Sequence, residues 1–182
     1  MQLLREYIRE VLNENKLRVF DFDDTLAVTD SMIILTKASG EQIKQTPGEW
    51  AVYKPEPGDE FDYSEFGGEL MNPREIKDYM NILRRVLGAG TDGRKAVILT
   101  ARAEVARQGI INFLEDIGLN VGDIEIVTLG ESDPQFKAQW IEDKINDGYD
   151  DVYFVDDSDK NIRAVQALAA KYPDIKLRTQ LV

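Results

Sequence analysis

The sequence predicts an α/β fold with three layers, in which helices cover both faces of a central parallel sheet. Two observations support this prediction. Short apolar runs typical of buried strands alternate with amphipathic stretches of helical period, a pattern typical of parallel strands joined by helical crossovers. The chain has 182 residues, which fits one domain with a single core and a small elaboration.

Residues 1–16 precede the predicted sheet and contain an amphipathic helix. Over residues 2–14 apolar residues recur at helical spacing, with charged residues between them. The segment lacks the continuous apolar centre and the small-residue cleavage site of a secretory signal peptide. We expect the helix to pack on the domain. The alternative is a removable leader, because Leu12-Asn13-Glu14 resembles the site at which capsid-targeting segments of large tailed phages are cut.

The first strand is predicted at about residues 17–22, and an insertion follows at about residues 31–72. The insertion is rich in Gly and Pro, which predicts turns and short strands, and it also contains several aromatic residues. We expect it to form a small cap over a site, because such lids exclude water and select substrates. Trp50, Tyr53 and Phe61 are the candidates for its substrate-facing side.

Helices and strands alternate through the rest of the core, which extends over residues 17–182. A helix is predicted from Asn72-Pro73 to Leu87, with Asn72 as its N-cap and Pro73 in its first turn. The later predicted elements are strands at about 95–99, 124–129, 152–155 and 176–181 and helices at about 103–117, 134–145 and 161–171.

The composition excludes several kinds of chemistry. The chain has no Cys, hence no disulfide, thiolate nucleophile or zinc thiolate, and it has no His, the commonest general base. The net charge of -12 argues against extended binding to duplex nucleic acid. No apolar run is long enough for a membrane span. We expect a cytoplasmic protein or, if the chain is of phage origin, one found in the host cytoplasm or the capsid.

Two carboxylates, Asp21 and Asp23, stand where the first strand ends. Side chains two residues apart in an extended chain point the same way, so these two present their charges together. A divalent cation would relieve the repulsion between them. The alternative is a solvated turn rich in Asp, which is common after strands, and Asp24 is expected to be such a turn residue.

Groups suited to the same chemistry follow the other predicted strands. Thr100 ends the second strand of the core, Lys137 lies near the start of the helix after the third, and Asp156-Asp157 end the fourth. The carboxyl ends of parallel strands lie together beside the topological switch point. We therefore expect these groups to converge with Asp21 on one site.

These motifs resemble those of the haloacid dehalogenase superfamily of phosphatases and phosphotransferases, which has a Rossmann-like core. The superfamily has a hydrophobic strand with Asp-x-Asp-x-Thr, a strand ending in Thr or Ser, a Lys at a helix start, and a strand ending in paired acids. The matching positions, in the same order, are Asp21, Asp23 and Thr25; Thr100; Lys137; and Asp156 with Asp157. The resemblance covers about residues 17–170.

The resemblance implies a phosphomonoesterase that works through an aspartyl-phosphate. Asp21 would be the nucleophile, and Asp23 would protonate the leaving oxygen and later deprotonate the attacking water. Thr100 would donate a hydrogen bond to a phosphoryl oxygen, and Lys137 would neutralise charge in the transition state. Capping of the next helix is the alternative role for Thr100.

The resemblance also implies a Mg²⁺ cofactor. The cation would take the side chains of Asp21 and Asp157 and the backbone carbonyl of Asp23, with Asp156 acting directly or through water. Asn161 is a candidate to orient Asp157, with capping of the following helix as its alternative role.

Thr25 and Arg102 are the candidate substrate-binding residues. The run Leu-Thr-Ala-Arg that ends in Arg102 resembles the second motif of phage and nucleic-acid-repair members, in which the Arg reaches substrate phosphate; a surface Arg is the alternative. Lys144 and Lys160 are the alternatives to Lys137 as the catalytic lysine, because a Lys on a helix often lies on a solvated face.

A nucleotide or the terminal phosphate of a nucleic acid is the expected substrate, while the negative charge favours a phosphorylated small molecule. Two other functions stay open. One is a phosphoacceptor module of the response-regulator type, which the layout disfavours because the strand that would carry the phosphorylated Asp ends in Thr100. The other is a non-catalytic binding or packaged protein that retains the fold.

Overall fold

The structure is a computed structural model that describes residues 15–46, 49–50, 53–66, 70–90 and 93–182. The predicted amphipathic helix over residues 2–14, and with it the candidate leader, lies outside the described residues. Within those ranges, no helix has the length and apolar character needed to cross a membrane.

The described residues form strands and helices in the order that the sequence predicts. The strands are β1 (Lys16–Phe20), β2 (Ala27–Val28), β3 (Ile33–Thr36), β4 (Gln42–Gln45), β5 (Glu60–Asp62), β6 (Arg74–Glu75), β7 (Arg94–Thr100), β8 (Ile124–Thr128), β9 (Asp151–Asp156) and β10 (Lys176–Leu181). The α-helices are α1 (Lys77–Gly88), α2 (Arg107–Asp116), α3 (Pro134–Asn146), α4 (Asp159–Gln166) and α5 (Leu168–Lys171). Short 3₁₀ turns lie at Ser64–Phe66, Glu104–Ala106 and Val121–Asp123.

The central sheet has five parallel strands in the order β10-β9-β1-β7-β8. Lys16 at the start of β1 lies opposite Arg94 in β7 and Asp151 in β9, so the carboxyl ends of the three strands share one edge. From β1 the chain adds β7 and β8 on one side and then β9 and β10 on the other. The topological switch point therefore lies between β1 and β9, where ligands bind in open α/β sheets.

Side chains along the strands point alternately to the two faces of the sheet, and on each face they are buried against helices. Phe20 packs with Met80 of α1 and Ile110 of α2, while Leu17 and Val19 pack on the opposite face. The core of that second face includes residues from α3 and α4, namely Ala138, Ile141, Ile145, Ile162 and Val165. Burial of each large apolar side chain contributes about 1.5–3 kcal/mol. The predicted α/β fold with a central parallel sheet and flanking helices is confirmed.

The segment between β2 and β6 forms a small antiparallel sheet of its own, in the order β4-β3-β5. Aromatic rings beside it pack on one another: Trp50 lies edge-on to Tyr63 at 5.8 Å between centroids, and Tyr53 edge-on to Phe61 at 6.1 Å. Phe61 also stacks on Tyr63 at 6.3 Å. A substrate-facing role for Trp50, Tyr53 and Phe61 stays a prediction.

The helix predicted from Asn72-Pro73 begins later, at Lys77. Residues 74–75 pair instead with β2 in an antiparallel ribbon, and the backbone N–H of Ile76 donates to the carbonyl of Leu26 at 2.8 Å. Asn72 has a φ of 43°, and its side-chain amide donates to Asp30 at 3.0 Å, so it is not the helix cap. Long-range pairing therefore overrides the local start signal.

Two other helices also differ from their predicted bounds. The helix predicted at 103–117 begins with the 3₁₀ turn at 104–106 before α2 follows. The helix predicted at 161–171 is α4 and α5, and its N-cap is Ser158, whose hydroxyl accepts from the backbone N–H of Asn161 at 3.5 Å. Neither difference moves the strand ends that carry the candidate site.

Candidate functional site

Three carboxylates meet at the switch point of the sheet. Asp21 follows β1, and Asp156 and Asp157 lie at the end of β9; one oxygen of each lies within 4.8 Å of the others. The backbone N–H of Asp21 donates to the carbonyl of Val155 at 2.9 Å, which extends the β1–β9 pairing up to the acids. The parallel register thus brings together acids from distant parts of the chain.

Lys137 forms an ion pair with two of these acids. Its ammonium lies 2.6 Å from Oδ1 of Asp21 and 2.7 Å from Oδ2 of Asp156, and all three residues are buried. Lys144, on the same helix, pairs with Asp147 instead. Lys137 is therefore the candidate lysine that the fold brings to the acids.

The start of α3 explains how Lys137 reaches the site. Asp133 caps this helix by accepting from the backbone N–H of Gln135 at 2.9 Å, and Pro134 occupies the first turn, where a missing N–H costs no hydrogen bond. The cap fixes the beginning of the helix beside the carboxyl end of β8. Lys137 then lies in the first turn with its side chain inward.

Asp156 is held by a full set of donors. Besides Lys137, its carboxylate accepts from the backbone N–H of Ser158 at 2.8 Å and from the side-chain amide of Asn161 at 2.9 and 3.1 Å. The expectation that Asn161 orients Asp157 is therefore wrong, because its amide binds the neighbouring acid. Asp156 is fully buried, whereas Asp157 is exposed.

Desolvation and the charges of neighbouring acids both disfavour the ionised forms of Asp21 and Asp157. Burial raises the pKa of Asp21 well above its usual value despite the opposing effect of Lys137, and nearby acids add to the rise. Partial desolvation of its carboxylate and the charges of Asp156 and Asp24 raise the pKa of Asp157 to about 6. Burial alone would lower the pKa of Lys137, but the two acids outweigh it and raise it, so the ammonium stays protonated.

The acid cluster fits a hard divalent cation. Mg²⁺ takes oxygen ligands and few protein carboxylates, and Asp21, Asp156 and Asp157 supply oxygens within a metal's reach. A cation there would lower the raised pKa of Asp157, since opposite charge favours the ionised form. The residues present therefore suit the predicted cofactor.

The carboxylate of Asp23 lies outside this cluster and pairs with Arg102 instead. The backbone N–H groups of Leu26 and Ala27 both donate to the carbonyl of Phe22 at 3.0 Å, so the chain curls tightly after β1. Asp24 has a φ of 55°, as expected of a turn residue. A metal contact through the backbone carbonyl of Asp23 stays a prediction.

Arg102 binds the carboxylate of Asp23 with a two-pronged ion pair. Its Nε and Nη2 donate at 2.8 and 2.7 Å, and Nη2 also donates to the hydroxyl of Thr29 at 3.1 Å. The guanidinium lies 4.7 Å from the ring centroid of Phe66. Arg102 is buried, which rules out the surface alternative, while its predicted contact with substrate phosphate stays a prediction.

Two buried threonines complete the site. The hydroxyl of Thr100 accepts from the backbone N–H of Arg102 at 3.1 Å, which shapes the turn after β7 rather than capping a helix. The hydroxyl of Thr25 has no hydrogen-bond partner among the described residues, although the side chain is completely buried. An unpaired buried hydroxyl costs about 1–3 kcal/mol, so a polar group of a ligand is a suitable missing partner.

Sequence reasoning missed Phe66 and Thr29. Phe66 is one aromatic among several in the insertion, and only the path of the insertion brings it to Arg102.

Comparisons with known proteins add no assignment, because no family model matches this chain and a search of curated proteins also finds no match.

Proposed function

We propose that this protein is a Mg²⁺-dependent phosphomonoesterase that forms an aspartyl-phosphate on Asp21, as members of the haloacid dehalogenase superfamily do. One observation supports this best. Asp21 and Asp156, from adjacent strand ends at the switch point, share the buried ammonium of Lys137 beside the exposed carboxylate of Asp157.

The environment of Asp21 suits a nucleophile. Lys137 pairs with Oδ1 and leaves Oδ2 without a hydrogen bond among the described residues. Oδ2 forms the bond to phosphorus while the ester P–O bond breaks, and the positive charge of Lys137 stabilises the charge that builds on the phosphoryl oxygens. Asp156, held by Asn161 and Ser158, fixes the lysine in place.

We assign proton transfer to the side chain of Asp23, because its carboxylate lies outside the acid cluster. In the first step it donates a proton to the leaving oxygen, and in the second it takes a proton from the water that attacks the phosphoryl group on Asp21. Ester and water are thereby converted to alcohol and inorganic phosphate. Thr100, at the end of β7, would donate its hydroxyl proton to a phosphoryl oxygen while still accepting from the backbone N–H of Arg102. Thr25, whose hydroxyl has no partner among the described residues, is the second candidate donor.

The charge of the site supports a role for a bound cation. The carboxylates of Asp21, Asp156 and Asp157 outnumber the one ammonium among them, so a phosphate dianion would be repelled. Bound Mg²⁺ supplies the missing positive charge between substrate and nucleophile. The substrate we propose is a nucleotide, a terminal phosphate of a nucleic acid or another small phosphorylated molecule.

The decisive experiment compares Asp21→Asn with Asp24→Asn. Both remove a carboxylate from the same loop, and Asn tolerates the positive φ at position 24. With an aryl phosphate and Mg²⁺, we expect Asp21→Asn to fold, bind the metal weakly and lose at least about 10³-fold in kcat, while Asp24→Asn retains most turnover. Near-normal activity of Asp21→Asn would contradict the nucleophile.

The same assay separates the alternative functions. Sustained turnover supports the phosphatase, whereas a single stoichiometric phosphorylation supports a phosphoacceptor module and no reaction supports a non-catalytic protein. A panel of phosphorylated metabolites, mononucleotides and oligonucleotides with 3′ or 5′ phosphates then identifies the substrate class.

A further inference from the structure

Asp23 is locked in one orientation by Arg102. The two nitrogens of the guanidinium meet the two carboxylate oxygens in parallel, and the side chain of Arg102 is only 1% exposed. A two-pronged Arg–carboxylate pair fixes the plane of the carboxylate as well as its position. The geometry of Asp23 therefore depends on where the guanidinium is held.

Arg102 is held in turn by the insertion. The ring of Phe66 lies against the guanidinium at 4.7 Å, and the carbonyl of Phe66 accepts from Nη1 at 3.5 Å. A cation over the face of an aromatic ring is attracted by the ring quadrupole, so Phe66 helps to hold the guanidinium in place. Thr29, directly after β2, adds a third contact. These contacts join Asp23 to a segment that the sequence places in the insertion.

Phe66 is anchored to the small sheet of the insertion by its neighbour Glu65. One carboxylate oxygen of Glu65 accepts from the backbone N–H of Met32 at 2.7 Å, and the other pairs with Lys44 of β4 at 3.0 Å. A continuous chain of contacts thus runs from β4 through Glu65, Phe66 and Arg102 to Asp23.

We propose that Arg102 is a positioning residue that couples the insertion to the proton transfers of Asp23. This inference rests on the proposed function. Productive geometry at a reacting group must be held within about 0.5 Å, and a well-placed acid–base group contributes about 10²–10⁴-fold to rate. The insertion then acts on the leaving group through Asp23, in addition to any direct contact with substrate.

The test uses two phosphate esters with different needs for proton transfer. An aryl phosphate has a leaving group that departs without protonation, whereas an alkyl phosphate requires a proton from Asp23. We expect Arg102→Lys, which keeps the charge but loses the two-pronged geometry, to lower kcat for the alkyl ester by about 10–100-fold more than for the aryl ester. The KM values should change little.

Two milder variants make the test independent of damage at Arg102. Phe66→Leu removes the aromatic contact, and Glu65→Gln weakens the anchor without touching the core. Both should lower the ratio of alkyl to aryl kcat, as Arg102→Lys does. Arg74→Lys is the matched control, because this exposed Arg pairs with Asp30 in the same part of the chain and should leave the ratio unchanged.

A double variant completes the test. In an Asp23→Asn background, Arg102→Lys should cause no further loss for the alkyl ester, because the effect passes through Asp23.

The outcomes distinguish this inference from the proposed function. Equal rises in KM for both esters in Arg102→Lys, with the kcat ratio unchanged, would assign Arg102 to substrate binding and overturn the coupling. Unchanged ratios in all three variants would overturn it as well, while wild-type turnover keeps the phosphatase intact. A wild-type protein that hydrolyses no phosphate ester would remove the proposed function and the coupling together.

Discussion

Replacement of Lys137 by Met tests whether the acid cluster is a cation site, without any need for activity. The substitution keeps the length of the side chain but leaves Asp21 and Asp156 facing each other in the core, where their side chains are 8% and 0% exposed. At about 4 Å, two charges in an effective dielectric of 20 interact with about 4 kcal/mol. Removal of one partner from a buried ion pair typically costs about 3–5 kcal/mol.

Lys137 pairs with two buried acids, so the loss of both pairs would cost about twice the usual amount. We expect Lys137→Met to lower the free energy of unfolding in EDTA by only about 3–5 kcal/mol, the cost of one pair. The pKa of Asp21 is already raised by burial, so loss of the lysine favours its neutral form and limits the repulsion. A carboxyl whose pKa is raised in the folded state loses stability as the pH rises through that pKa. The deficit of the variant should therefore grow from acid to neutral pH.

The assay is urea unfolding in EDTA and in Mg²⁺. A cation that binds the folded acids and is present at one hundred times its Kd raises the free energy of unfolding by about 2.7 kcal/mol. We expect this gain to be at least as large in Lys137→Met as in the wild type, because the metal replaces the lost positive charge. Lys144→Met and Lys160→Met are the controls, with expected losses of about 1 kcal/mol or less.

Two results would refute this reasoning. One is a urea midpoint of unfolding for Lys137→Met that equals the midpoints of the controls, with the same slope of unfolding free energy against urea concentration. The buried ion pairs would then contribute nothing to stability. The other is an absence of Mg²⁺ stabilisation in both wild type and variant, because the three clustered carboxylates would then not bind the cation.

Two further predictions concern the acids at either end of β9. Mg²⁺ binding should weaken as the pH falls through about 6, where a proton competes for Asp157, and calorimetric titrations near pH 5 and pH 8 check this; a constant Kd would contradict it. Asp151→Asn should lower the free energy of unfolding by about 3–5 kcal/mol near neutral pH, because it breaks a buried pair with Arg18, and should leave the Kd for Mg²⁺ unchanged. A weaker Mg²⁺ affinity in that variant would show that the acids of β9 are not independent.

The fold and the placement of the acids were predictable because they follow from periodic patterns. A run such as Leu17 to Phe20 buries side chains on alternate faces only in a sheet covered on both sides. Whenever β1 and β9 are neighbouring parallel strands, their carboxyl ends bring Asp21 and Asp156 to the same edge of the sheet. Lys137 follows from the same logic, because Asp133 and Pro134 mark the helix start that places it there.

Contacts that depend on the path of loops were not predictable. Asn72 and Pro73 form a normal helix start locally, and only the distant partner strand β2 moves that start to Lys77. Phe66 contacts Arg102 because the insertion folds on a sheet of its own, which no local periodicity encodes. Asn161 binds Asp156 rather than Asp157 because Ser158 fixes the register of the helix.

The two ends of β9 separate a structural buried acid from one that belongs to the candidate site. Asp151 begins the strand, and although burial alone would raise its pKa, hydrogen bonds from Arg18 and Arg178 lower it, so its charge is satisfied within the protein. Its stabilising effect is present above the unfolded pKa and is lost only as the pH falls through the lower folded value. Asp156 ends the same strand but shares Lys137 with a second acid, beside Asp157 with its raised pKa. The strand therefore has its charges balanced at one end and a surplus of carboxylates at the other, and it is at this second end that we propose a cation binds.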